Sequence, residues 1–235
     1  MFDGCVKQIQ THALEEAPKE CCGLVTAGGY VRCTNIADDP KNSFVLDPRR
    51  YAAVASREEI LAIVHSHVHP NADCPTKLDM EQQIKSGLPW GITHVAESGL
   101  VTTPFWFGDS VPIPPLIGRT FRHGVTDCYA LVRDWFRVER DIQLPIFPRE
   151  DYWWDDGEDV LLDNYKAMGF VPLSGVKDLQ TGDGVLGTIA GRVTNHCAVY
   201  VGGGLILHHL PGRLSRVDPI HMWKKYLRIA VRYVG

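Results

Sequence analysis

Cys128 follows Asp127 and opens the amphipathic run Tyr129-Ala130-Leu131-Val132. Further on, His196 opens the apolar run Cys197-Ala198-Val199-Tyr200, and His208 closes the next one, twelve positions after the first histidine. A thiol becomes a useful nucleophile only as a thiolate, and the first turn of a helix beside an imidazole lowers its pKa. Cys128 is therefore the candidate nucleophile and His196 the candidate base. A hairpin between the two apolar runs would return His208 to the side of His196, where it can fix that ring's orientation and tautomer. Spacing favours His208, while the adjacent His209 leaves the choice of third residue open.

The first half carries a separate cluster. Glu59-Ile60-Leu61-Ala62-Ile63-Val64-His65-Ser66-His67 reads as an apolar strand ending in two histidines. Residues two apart on a strand share a face, so His65 and His67 can bind one metal together. Asp79 comes twelve residues after His67, in a stretch that reads as a helix capped by Thr76. Two imidazoles and one carboxylate leave a fourth position for water, the mark of a catalytic rather than a structural zinc site. Zn2+ lowers the pKa of such a water to about 7. His69 runs into Pro70-Asn71 and reads as a loop residue or outer neighbour, and a Cys74 thiolate ligand would instead indicate a closed structural site. His12 and His94 receive no role.

These groups need elements to hold them. The pattern predicts a helix over 6–17, strands over 20–26, 30–36 and 42–46, a helix over 48–58, a strand over 59–66, a helix over 76–86 and a strand over 90–96. That is a mixed sheet flanked by helices. Residues 104–118 hold three prolines in four positions at 112–115 and read as a stiff linker. A helix from Cys128 to about Arg140 places Leu131, Val132, Trp135 and Phe136 on one stripe. A helix over 158–168 and strands near 184–186, 196–201, 205–208 and 229–233 follow. The acidic run around Trp153-Trp154 reads as a solvated face, with the tryptophans packed beneath it.

Several ordered motifs resemble known families. Gly118-Arg119-Thr120-Phe121-Arg122-His123-Gly124, Asp127-Cys128, Thr181-Gly182-Asp183 and His196-Cys197-Ala198-Val199-Tyr200-Val201-Gly202 are similar to the lead-in, nucleophile, turn and histidine strand of the NlpC family of cell-wall cysteine peptidases. Thr120 replaces the usual proline, Phe121 the usual tyrosine and Tyr129-Ala130 the usual Ser-Gly. In the first half, Pro18-Lys19-Glu20-Cys21-Cys22-Gly23-Leu24-Val25, His65-x-His67 and Thr76-x-x-Asp79 resemble the JAMM (MPN) metalloprotease family. That resemblance implies Glu20 as acid/base for the water proton and Thr76 as a donor to the developing oxyanion. The expected fold class is α+β: a JAMM-like mixed α/β sandwich over 1–107, a linker over 108–117 and a papain-like NlpC-type domain over 118–235.

The succession of the two domains resembles the tail-tip assembly proteins of lambda-like phages. It implies a peptidoglycan endopeptidase cutting stem peptides, with the D-Glu to diaminopimelate linkage as a candidate bond and other tail-tip proteins as partners. Synthesis and assembly in the host cytoplasm, with action in the host periplasm from the virion tail tip, would follow. A non-enzymatic assembly scaffold, and a JAMM protease acting on a tail or host protein, are the alternatives. Composition agrees with a globular chain: 235 residues, 45% hydrophobic, 22% charged, net charge −4. That charge gives no reason to expect nucleic acid, and no apolar run reaches membrane-span length. No secretory signal is visible at the N-terminus. Seven cysteines, an odd number without framework spacing, suit a reducing compartment, with Cys5, Cys33 and Cys197 expected as small buried hydrophobes.

Overall fold

A computed structural model describes all residues, Met1–Gly235. The chain forms two compact units that part between Pro112 and Ile113, with the short segment Thr76–Met80 grouped with the second. No helix is long and apolar enough to cross a membrane, and all seven cysteines are free thiols. Helices and strands occur in both units, and the fold class is α+β.

The first unit is built on a five-stranded sheet. Its elements are α1 (Val6–Glu16), β1 (Cys22–Thr26), β2 (Gly29–Cys33), α2 (Pro48–Ala55), β3 (Ala62–Val68), β4 (Trp90–Val95) and β5 (Phe105–Phe107), with α3 (Lys77–Ser86) as the crossover between β3 and β4. Strand order is β2-β1-β3-β4-β5, and only β3 and β4 run parallel. A parallel neighbour needs such a crossover, whereas the β1–β2 hairpin turns on Gly29 at φ 116°. Central β3 is buried from Ala62 to His67, as expected of a strand covered on both faces. Val64 packs with Ile9 of α1 and Val25 on one face, while His65 and His67 point to the other.

Two expectations fail here. Residues 42–46 form no strand; Leu46 makes a single bridge to Asn35. The Asn35 side chain takes over the pairing, accepting from the amides of Ala37 and Val45 and donating to the carbonyls of Glu20 and Ser43. A polar side chain that braces a loop in this way competes with a ladder. Conversely, Phe105–Phe107, read as linker, is an edge strand on β4, because the Trp106 ring fits over Gly91, where a Cβ would lie 2.6 Å from it.

The second unit sets one long helix, α4 (Cys128–Arg140), against a six-stranded antiparallel sheet. Its other elements are α5 (Val160–Asn164), β6 (Phe170–Pro172), β7 (Gly184–Gly187), β8 (His196–Gly202), β9 (Leu205–His208), β10 (Arg216–Pro219) and β11 (Leu227–Tyr233), in sheet order β10-β9-β8-β7-β11-β6. Leu131, Val132, Trp135 and Phe136 of α4 meet Cys197, Val199 and Leu207 in the core. Each such side chain contributes about 1.5–3 kcal/mol on burial, so Leu131→Ala alone would cost about 2–5 kcal/mol. The opposite face of the sheet has its own cluster around Ala198, Ile206 and Trp223. The predicted helix over 158–168 shrinks to Val160–Asn164, with residues 165–168 in turns, and at its start Asp159 accepts from the Thr194 amide and caps nothing. Strands β6 and β10 had no pattern in the sequence; each is only three or four residues long.

Candidate active site and candidate metal centre

Asp127 starts α4 as its N-cap, with Oδ1 accepting the Ala130 amide at 2.9 Å. Its other oxygen accepts the Gly124 amide at 2.8 Å and pairs with the Arg149 guanidinium. Burial raises the Asp127 pKa, but Arg149, His123 and the two amides outweigh it and hold the carboxyl at about 2. Arg149 is itself buried, donates to the Phe147 carbonyl at 2.7 Å and lies over the Tyr129 ring. A fixed carboxylate in the cap thus pins the turn that presents Cys128, which is half-buried.

The Cys128 thiol is held well below its ordinary value. A hydrogen bond with the Cys197 thiol is the largest cause; a hydrogen bond and charge from His196 add to it, against burial and the charge of Asp127. Cys197 is pushed the opposite way, first by that same bond and then by burial. Of the two sulfurs, Cys128 stands at the helix N-terminus, so the shared negative charge belongs there. Cys197 is buried as expected, yet it touches the nucleophile candidate and is more than filler.

His196 begins β8, and β9 returns beside it with His208 opposite Ala198. That places both imidazoles on one face, diagonally across the pair. Their ring centres are 5.4 Å apart and the rings are nearly perpendicular. Trp223 covers both, stacked on His196 and edge-on to His208 at 4.4 Å. Burial, followed by the neighbouring His196, lowers His208 to about 4, although its Nε2 donates to Asp218 at 3.1 Å. His209 faces the other way, its two ring nitrogens engaged with the carbonyls of Thr126 at 2.6 Å and Arg213 at 3.0 Å. A cavity of about 150 Å³ opens beside Cys128, walled by Phe121, Tyr129, Trp154, His196, His209 and Leu210. Trp153 is buried in the core and Trp154 packs against it at the cavity wall.

His65 and His67 on β3 and Asp79 in the first turn of α3 are all buried, and their ligand atoms lie within 4.8 Å of one another. The two Nε2 atoms are 3.1 Å apart. Nitrogens about 2.0–2.1 Å from one tetrahedral ion would sit roughly 3.3 Å apart, so the donor set fits a metal. His67 Nδ1 donates to the Ala72 carbonyl at 2.7 Å, which leaves its Nε2 lone pair for that ion. Phe44 stacks on His65 at 4.4 Å. Thr76 and Asp79 form a reciprocal cap: the Thr76 amide and hydroxyl donate to Asp79 Oδ2 at 2.8 and 2.7 Å, and the Asp79 amide donates back at 3.1 Å. The Thr76 hydroxyl proton is therefore turned to Asp79. Buried Glu20 lies just before β1, two residues ahead of Cys22, which pairs with His65. His69 is exposed and Cys74 lies outside the cluster.

Sequence reasoning missed Arg149, Cys197 as a partner of Cys128, Trp223 and Asp218. None carries a spacing signal, because each reaches the site through sheet register or loop packing.

Residues 117–232 match the model of the NlpC/P60 family, and residues 3–105 match prokaryotic homologs of the JAB domain. The class is thus a two-domain chain joining a JAB-like domain to an NlpC/P60 domain. Tail tip assembly protein K of Escherichia phage N15 is 34% identical over 97% of this chain and 93% of its own length. Its counterpart from Escherichia phage lambda is 37% identical over 73% of this chain and 80% of its own length. The chain belongs to the family of tail tip assembly protein K.

Proposed function

We propose that this chain is a phage tail-tip assembly protein with two domains, 1–107 and 118–235 joined by 108–117, whose second domain is an endopeptidase for peptidoglycan stem peptides. The lowered thiol of Cys128, set at a helix start beside His196 and facing a walled cavity, is the observation that carries this reading. Cys128 Sγ adds to the amide carbonyl, and the resulting oxyanion meets the amides of the first turn of α4. His196 passes its proton to the leaving amine, which breaks the C–N bond and leaves a thioester. Water then attacks, His196 takes its proton, and the acid leaves as the thiol side regains its charge. His208 rather than His209 orients His196, because His209 is engaged with two carbonyls on the opposite side. The apolar wall, with the rings of Phe121, Tyr129 and Trp154, suits a short peptide more than a charged polymer.

For the first domain we propose a zinc-dependent (iso)peptidase site held by His65, His67 and Asp79. Zinc, when bound, supplies an acidified water and a Lewis acid. Glu20, buried just before β1, is the residue that would move the water proton. Thr76 holds Asp79 in position, and it donates to an oxyanion only by releasing that carboxylate. Tail-tip proteins are the expected assembly partners, in the host cytoplasm, with cell-wall cleavage in the periplasm.

The test is digestion of purified muropeptides by wild type, Cys128→Ala and His65→Ala, read by mass spectrometry. Cys128→Ala should reduce peptide release at least about 10³-fold, as loss of a covalent nucleophile does, while His65→Ala and a chelator leave release intact. Undiminished release by Cys128→Ala would falsify the cysteine mechanism and favour a metal-site protease or a scaffold.

A further inference from the structure

We infer that Asp218 is a positioning residue for the thiol site, fixing the tautomer of His208 so that a chain Cys128–His196–His208–Asp218 aligns the base. This rests on the reading of Cys128 and His196 as nucleophile and base. Asp218 lies on β10, which pairs with β9 so that Arg216 is opposite His208 and Asp218 opposite Ile206. Its Oδ2 meets His208 Nε2 at 3.1 Å and also receives Arg216 through Nε at 3.1 Å and Nη2 at 2.9 Å.

A carboxylate only accepts, so His208 Nε2 must carry the proton in this bond. His208 titrates near 4, so it is neutral at pH 7 and its Nδ1 then bears a lone pair. That atom is buried and has no hydrogen-bond partner. His196 Nε2 is likewise buried without a partner. The two rings are neighbours, and a proton on His196 Nε2 is the complement that His208 Nδ1 lacks. Donation there leaves His196 Nδ1 as the nitrogen that serves Cys128. Contacts between catalytic imidazoles are often long before substrate binds and tighten afterwards. Around His208 the charged and titratable groups are His196, Asp218 and Arg216, and Trp223 closes the remaining side. With Asp218 removed, nothing selects the His208 tautomer that accepts from His196, and the base can rotate or protonate wrongly.

The experiment uses the full chain. Long-range ¹H–¹⁵N imidazole spectra of the wild type should show His208 protonated at Nε2 with a bare Nδ1. Wild-type His208 protonated at Nδ1 would overturn the proposal without any variant. Asp218→Asn should mix the His208 tautomers, move the pH midpoint of Cys128 alkylation by iodoacetamide upward, and lower kcat for peptide release about 10–100-fold with KM nearly unchanged. An alkylation profile and a tautomer that both stay at wild-type values in Asp218→Asn would also overturn it. If wild type releases no peptide at all, the proposed substrate fails, while the alkylation and ¹⁵N readouts still decide the role of Asp218.

Discussion

The metal cluster and the thiol site are assembled by different means. His65 and His67 sit two apart on one strand, and Asp79 is set by a cap three residues away, so nearly all of the metal centre is local in sequence. The thiol site has one local part, the Asp127 cap before Cys128. Everything else arrives from afar: Arg149 from a loop, His196 and Cys197 from β8, His208 from β9 and Asp218 from β10. A site made of short-range pieces survives modest changes elsewhere, whereas a site made by register fails when the sheet shifts. The thiol site depends on buried charges holding distant segments together.

The sharpest way to break this comparison is zinc content. The wild type should bind one equivalent, and His67→Ala should bind essentially none, measured by elemental mass spectrometry after dialysis. Cys128 alkylation should be the same in both proteins, since none of the groups that lower the Cys128 thiol is a residue of the His65, His67 and Asp79 cluster. A matching loss of alkylation would show that the two centres are not independent.

Next in size is Arg149→Met. It leaves the buried Asp127 carboxylate without its guanidinium, and breaking one side of a buried pair costs about 3–5 kcal/mol. Urea titration followed by tryptophan emission should show that loss in the transition of the second domain. Unchanged stability would mean that the cap alone holds the Cys128 turn.

Acid should weaken the second domain with a definite sign. His208 has a folded value of about 4 against an ordinary 6.5, so the unfolded chain binds the proton first as pH falls. Stability is thus present above about 6.5 and is lost progressively toward pH 4. Asp127, at about 2 against 3.8, adds a second loss below about pH 4. Thermal melts across pH 3–8 should slope downward toward acid, and His208→Asn should flatten the part between 6.5 and 4. A flat wild-type curve there would refute the buried, neutral His208.

The smallest expected effect is Cys197→Val. Without the second thiol, Cys128 loses the largest cause of its lowered value but keeps His196 and the helix start. Iodoacetamide should then react several-fold more slowly at pH 7. An unchanged rate would leave Cys197 as packing alone.

The sequence by itself located both candidate centres, because their signals are short. A strand of alternating faces sets His65 and His67 together, a cap sets Asp79, and an Asp-Cys helix start announces the thiol. It also determined α4, whose stripe from Leu131 to Phe136 repeats at helical spacing. It could not choose between His208 and His209, because only the register that sets His208 opposite Ala198 puts its side chain on the sheet face of His196. Nor could it find Asp218, Trp223, Arg149 or the sulfur pairing of Cys197. Strands of three or four residues such as β6, β10 and the edge strand β5 have too few alternations to register as a pattern. Residues 42–46 have enough β-formers to mislead, but Asn35 takes the Val45 amide and the Ser43 carbonyl. Propensity and spacing act within a few residues, while register and burial act across the sheet, and only the tertiary structure decides which distant polar groups share one low-dielectric site.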